Sequence, residues 1–161
     1  MAKRAAKAPQ AGHDHGACVG TALAAAERVC AAGGEKLTEL RRRVLELVWE
    51  SHKPVGAYQL LDGLRADGRS AAPPTVYRAL EFLLDQGLVH RVESLNAYIG
   101  CAHPGERHAT QFLICRRCGT AVELDDPRIA AAIDTTAARH GFEVGTRTVE
   151  VAGTCADCLP R

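Results

Sequence analysis

Four cysteines fall into two Cys-x-x-Cys turns, Cys115-Arg-Arg-Cys118 and Cys155-Ala-Asp-Cys158. Two thiolates at that spacing chelate one zinc ion, and two such turns complete a tetrahedral site of four sulfurs. The gap between the pairs is 36 residues, longer than in a common zinc ribbon. A helix and a strand would fill it and return the chain to its start. Gly119 eases the first turn, so that backbone N–H groups can point at sulfur. A redox Cys-x-x-Cys needs only one pair, set at a helix start. Two pairs therefore point to structural zinc on Cys115, Cys118, Cys155 and Cys158. Arg116 and Arg117 read as a solvated knuckle rather than a nucleic-acid contact.

A second set is His90, Cys101, His103, His108 and Glu123. No local spacing links all of them, and a lone histidine is more often a satisfied surface or core residue. What singles them out is clustering around one stretch, residues 102–107, that reads as a hinge. One thiolate, two imidazoles and one carboxylate suit zinc. The thiolate argues against magnesium and calcium, and less firmly against manganese and iron. Cys18 and Cys30 read as bystanders, the first in a tail and the second a small hydrophobe on a helix face. His13-Asp14-His15 could touch a metal, but its composition reads first as solvated tail.

These groups sit in a chain of 161 residues, 47% hydrophobic and 24% charged, which excludes wholesale disorder. Its first ten residues lack the apolar run of an export signal, so a reducing cytoplasmic setting, with thiols rather than disulfides, is expected. Net charge is +1 and names no partner. Residues 1–94 carry 13 Lys/Arg against 11 Asp/Glu, whereas residues 95–161 carry 7 against 8. That fits a phosphate-facing first half and a second half that does not meet phosphate, but is too small to argue binding by itself.

The elements that must position the candidate residues follow from periodicity and punctuation. Residues 1–20 read as a flexible tail. Helices are predicted over Thr21–Ala32, from a Thr38 cap to about Ser51, over Ala57–Ala66 and over Thr75–Gln86, the last bounded by Pro73-Pro74 and Gly87. Residues 88–94 and 97–101 form a hairpin around Leu95-Asn96. Helices followed by a two-stranded hairpin are the order of a winged helix-turn-helix, with Thr75–Gln86 as the recognition helix. Beyond a 102–107 hinge, strands at Ala109–Ile114, Ala121–Leu124 and Thr146–Val151 flank a helix from Asp126-Pro127 to His140. The fold class is α+β: a winged helix-turn-helix domain at 21–101 and a small α/β unit at 108–161. A unit of roughly fifty residues buries too little apolar area to be secure alone, and needs a metal, a partner chain, or both.

The stretch Pro73-Pro74-Thr75-Val76-Tyr77-Arg78-Ala79-Leu80 with Gly87-Leu88-Val89-His90 resembles the recognition helix and wing of the ferric uptake regulator family. Phe112-Leu-Ile-Cys-Arg-Arg-Cys-Gly119 resembles its zinc knuckle. Val89-His-Arg-Val-Glu-Ser-Leu-Asn-Ala-Tyr-Ile-Gly-Cys101 is most similar to the zinc uptake regulator branch. The resemblance spans roughly residues 21–158. It implies a homodimeric, zinc-responsive transcriptional repressor with two zinc sites per chain. Cys115, Cys118, Cys155 and Cys158 match the structural site, and His90, Cys101, His108 and Glu123 match the sensing site. His103 has no counterpart in that pattern and competes with Glu123 as fourth ligand. The family usually has Pro and Gln where Glu39 and Leu40 stand.

The partner implied is double-stranded operator DNA, with Tyr58, Thr75, Tyr77 and Arg78 as contact candidates. Arg78 is the one cation on the recognition helix, and an arginine there can pair bidentately with guanine. Arg41, Arg42, Arg43 and Lys53 are offered to phosphates, with a solvated helix face as the alternative. The resemblance also suggests that Asp62 and Arg65 pair between neighbouring dimers, so that two dimers share one operator; pairing within one helix is the simpler reading. No membrane, small-molecule substrate or enzymatic activity is expected. Two other readings compete. A sensor of iron, manganese or peroxide on the same fold predicts more His and Asp and no thiol at the sensing site. A zinc hydrolase using His90, His108 and Glu123 needs an open coordination position, which Cys101 would close.

Overall fold

The computed structural model describes residues 15–51, 53–106 and 110–160. These form two compact units, and the boundary falls after Glu106. No helix among the described residues is long and apolar enough to cross a membrane.

The first unit opens with helix α1 (His15–Ala32). It begins six residues before the expected Thr21, so residues 15–20 are helix rather than the expected tail. The run from Ala17 to Ala26 is rich in alanine, which loses no side-chain entropy in a helix. Leu23, Ala26 and Cys30 face the core at helical spacing. Helix α2 (Glu39–Trp49) is capped by Thr38, whose side chain accepts from the Arg41 N–H. It ends two residues before the expected Ser51. Helix α3 (Ala57–Ala66) starts at Gly56, whose N–H donates to Gln59 Oε1 at 2.8 Å. Helix α4 (Pro73–Asp85) begins at the prolines themselves, where a missing N–H costs nothing.

The apolar faces of these helices meet in one core, in which Val44, Leu64 and Leu83 are fully buried. Leu83→Ala is expected to destabilise this unit by about 2–5 kcal/mol, because the cavity cannot fully collapse. Urea unfolding of the zinc-loaded protein measures it.

After Gly87 (φ 64°) come strands β1 (Val89–Val92) and β2 (Ala97–Gly100), antiparallel, with His90 opposite Ile99 and Val89 opposite Gly100. Asn96 takes the left-handed conformation that closes their turn. The other edge of β2 is held by the segment between α2 and α3. Val55 and Tyr98 exchange two backbone hydrogen bonds, each 2.8 Å.

The second unit holds strands β3 (Thr110–Cys115), β4 (Ala121–Glu123) and β5 (Thr148–Gly153) in the order β4-β3-β5. β4 is antiparallel to β3, and β5 is parallel to it. A parallel pair requires a crossover, and helix α5 (Pro127–Arg139) supplies it. Asp126 caps α5 by accepting from the Arg128 N–H at 2.9 Å. The Arg128 guanidinium folds back on the same carboxylate and holds its pKa down to about 2. β5 runs two residues later than the expected Thr146–Val151, in register with β3 along its whole length. Phe112 is fully buried, but α5 buries no residue, and Leu113, Phe142 and Val151 are exposed. One chain therefore leaves much of this unit's apolar surface uncovered.

Candidate metal centres and the helix-turn-helix surface

β3 ends on Cys115, and β5 stops two residues before Cys155. Their parallel pairing places Cys115 beside Gly153, so both Cys-x-x-Cys turns emerge from the same end of the sheet. The 36-residue gap is thus spanned by β4, α5 and β5. In the first turn Gly119, at φ 77°, donates its N–H to the Cys115 carbonyl at 2.9 Å. The second turn is a short 3-10 helix (Ala156–Cys158). The sulfurs of Cys115, Cys118, Cys155 and Cys158 all lie within 4.8 Å of one another. Cys118 Sγ and Cys155 Sγ are 3.7 Å apart. That is too long for a disulfide, and close to the roughly 3.8 Å edge of a tetrahedron with zinc–sulfur bonds of about 2.3 Å.

The electrostatics of the cage fit a divalent cation. Backbone N–H groups, first that of Cys118 and then that of Cys155, draw the Cys115 thiol down to about 6. The Thr120 hydroxyl, 3.3 Å away, donates to the thiolate form of Cys118 and lowers it too. The neighbouring sulfurs push the other two up, Cys155 through Cys115 first, and Cys158 through Cys155 first, to about 12. Four thiolates cannot share this space without a cation. The donor set is that of zinc, and all four thiols belong to one unit that folds them together. Arg117 donates to the Cys158 carbonyl, so it ties the two turns to each other.

His90 and Cys101 lie in the first unit. His90 is half-buried on β1, and Cys101 follows β2 with 2% exposure. The Cys101 N–H donates to the Leu88 carbonyl at 3.0 Å, which continues the β1–β2 register and sets Cys101 diagonally across from His90. A His90 ring nitrogen and Cys101 Sγ lie within 4.8 Å of each other. His103 lies in the following loop, half-buried, its carbonyl accepting from the Glu106 N–H. Glu123 belongs to the second unit, where it closes β4 opposite Phe112 and is buried. His108 lies outside the described residues, as do His13 and Asp14.

The exposed face of α4 carries Tyr77 and Arg78, with half-buried Thr75 beside them, opposite the buried Val76, Ala79, Leu80 and Leu83. Arg78 donates to the Pro74 carbonyl at 3.3 Å. Tyr58, on α3, is 66% exposed, unusual for an aromatic that no partner covers. The three α2 arginines are engaged within the chain. Arg41 stacks 3.5 Å over the Phe82 ring, and Arg42 pairs with Glu27 and Glu46. Arg43 grips Asp67 in a bidentate bond, with Glu46 and Glu50 alongside. That bond raises the arginine and lowers the aspartate. Lys53 is exposed. Asp62 and Arg65 approach to 4.0 Å within α3, an exposed pair worth about 0–1 kcal/mol. Glu39 starts α2 and pairs with Arg69 at 2.5 Å.

The sequence reading passed over Trp49, whose indole covers Gly100, and Arg117 as a clamp between the cysteine turns. Trp49 and Gly100 are 51 positions apart, so no local pattern joins them. For Arg117, its place inside a Cys-x-x-Cys turn was the available signal.

The model of the ferric uptake regulator family matches residues 32–152. The zinc uptake regulation protein of Escherichia coli (strain K12) is 42% identical over 138 residues, 85% of this chain and 81% of that protein. The zinc uptake regulation protein of Mycobacterium tuberculosis (strain ATCC 25618 / H37Rv) is 32% identical over 130 residues, 79% of this chain and 97% of the relative. Among solved structures, a zinc uptake regulator complexed with zinc and DNA superposes with a TM-score of 0.82 at 41% identity, covering 87% of this chain and 94% of that one.

Proposed function

The chain belongs to the ferric uptake regulator family, and from that premise we propose that it is a zinc-responsive, DNA-binding transcriptional repressor of zinc uptake and homeostasis genes. The observation that carries this reading is the coexistence of a winged helix-turn-helix, a four-sulfur cage, and a buried thiol beside an imidazole on the wing. The thiol separates the zinc reading from an iron or manganese sensor, because soft thiolate ligands favour zinc.

Two zinc sites per chain are proposed. Cys115, Cys118, Cys155 and Cys158 hold the structural ion, which supplies a covalent-like crosslink to a small unit. His90, Cys101, His108 and Glu123 hold the regulatory ion. The unit at residues 108–161 dimerises, covering the apolar residues that one chain leaves exposed. With His90 and Cys101 on the wing, and His108 and Glu123 beyond the 102–107 hinge, ligation restricts the hinge. It thereby fixes the separation of the two recognition helices in a dimer, and half-sites are read only at the right spacing. Zinc and DNA then raise each other's affinity by the same factor.

Tyr58, Thr75, Tyr77 and Arg78 are the proposed DNA contacts. Arg78→Ala is expected to cost about 1–3 kcal/mol of discrimination at one base pair. Binding measured across a set of single-base operator variants checks this. A uniform loss across all variants would make Arg78 a phosphate contact instead. A second dimer on the operator would exchange the Asp62–Arg65 contact within α3 for one between dimers. In cells, deleting the gene should raise transcription of zinc-uptake genes in zinc-replete medium. Unchanged transcription there would overturn the repressor assignment.

A further inference from the structure

We propose that Trp49 and Gly100 form a joint that positions Cys101 and couples the wing to the helix-turn-helix. The inference rests on the reading of Cys101 as a regulatory zinc ligand.

β2 has two faces, as any strand does. Tyr98 and Gly100 point to one, Ile99 and Cys101 to the other. Tyr98 joins the helical core, whereas Cys101 stands beside His90. Gly100, immediately before Cys101, is covered by the last residue of α2. A Cβ at Gly100 would fall 2.2 Å from Trp49 Cε2 and 2.3 Å from its Nε1, so the indole lies against the bare backbone. No larger residue fits unless the ring moves. Two residues earlier, β2 is pinned along its edge by Val55, in the segment that joins α2 to α3. The strand that delivers Cys101 is therefore held from one side by β1, from the other by Val55, and from behind by Trp49.

This arrangement has a consequence for both ends of the joint. The backbone at Gly100 sets where Cys101 Sγ lies relative to His90, and the indole sets the backbone at Gly100. In the other direction, a ligand drawn tight at Cys101 presses on the end of α2 and the turn into α3. Those are the elements that carry α3 and α4 onto DNA. Groups that orient a metal ligand without touching the metal typically tune affinity by about 10–100-fold.

Trp49 is the chain's one tryptophan, so its emission reports the joint directly. The experiment titrates zinc into full-length protein already carrying one tightly bound zinc per chain. Bound zinc is counted, and the affinity of the second equivalent is measured by chelator competition. The second equivalent should shift tryptophan emission in the native protein, and leave it unchanged in Cys101→Ser. Trp49→Ala and Gly100→Ala should weaken the second zinc by about tenfold or more, with the first zinc and the dimer retained. Trp49→Phe should recover most of the loss. A second zinc that binds without changing the emission overturns the joint. So does a Trp49→Ala protein that binds it as tightly as the native chain. Should Trp49→Ala fail to fold, the native emission still decides. A native chain that takes up only one zinc overturns the Cys101 assignment itself, and is distinguished by the count.

Discussion

Cys115→Ser is expected to release the tight zinc, unfold the second unit and abolish both the dimer and DNA binding at every zinc concentration. The unit follows Glu106 and holds roughly fifty residues, and a domain of that size is marginal without a staple. Among the described residues its sheet has three strands, and α5 buries nothing within one chain. The four sulfurs cluster just beyond the paired ends of β3 and β5, where one ion would staple both turns. Structural zinc contributes roughly 10–16 kcal/mol in small zinc-folded peptides at neutral pH, as large as a typical domain's whole stability of about 5–15 kcal/mol. Serine cannot replace that bond. Sedimentation and zinc content measured together would show monomer with no tight zinc. A zinc-free dimer of native secondary structure would contradict the structural role. The chemistry adds a proton signature. Cys155 and Cys158 have raised pKa values, so they are protonated in the empty cage near neutral pH, whereas Cys115, at about 6, has largely lost its proton. Loading zinc therefore releases protons, and its affinity falls as pH drops and the thiolates are reclaimed. Calorimetry in buffers of different ionisation enthalpy reads the release.

Cys101→Ser has the opposite profile: an intact dimer with its tight zinc, and no zinc-dependent gain in DNA affinity. Cys101 is buried at the end of the wing, outside the cage and in the other unit, so its loss spares the cage. Serine keeps nearly the same volume and the backbone bond to Leu88, and the wing should hold its register. What disappears is the one soft ligand of the sensing set. The expected drop in DNA affinity at saturating zinc is about 5–150-fold, the usual range of an allosteric coupling. Anisotropy of a labelled operator measures it. If the variant instead loses its dimer as Cys115→Ser does, the two sites have been assigned the wrong way round.

The two Cys-x-x-Cys pairs were readable because their spacing is local; their convergence was not. It depends on the parallel pairing of β3 with β5, a contact between residues about forty apart that no periodicity announces. The winged helix-turn-helix was readable for a similar reason. Pro73-Pro74, Gly87 and the hairpin turn punctuate the chain where the elements change. Boundaries drifted where punctuation was absent. α1 starts at His15 because an alanine-rich run offers no stop signal, and α4 takes in prolines that its first turn tolerates. Side-chain pairing over distance was hidden altogether. Arg41, Arg42 and Arg43 read as a basic face, offered to phosphates or solvated. Their partners are Phe82, Glu27 and Asp67, 41, 15 and 24 positions away. The cover that Trp49 places over Gly100 belongs to the same class.

In the proposed function, zinc acting through a site distinct from the four-cysteine cage switches on operator binding. Its most direct test is operator binding by the full-length dimer, with the cage kept loaded, across buffered free zinc, iron(II) and manganese(II). Sequence-specific affinity should rise with zinc in a saturable transition, and reach no comparable level with iron or manganese. Tight, specific binding with the second site empty, or an equal response to iron, would contradict it.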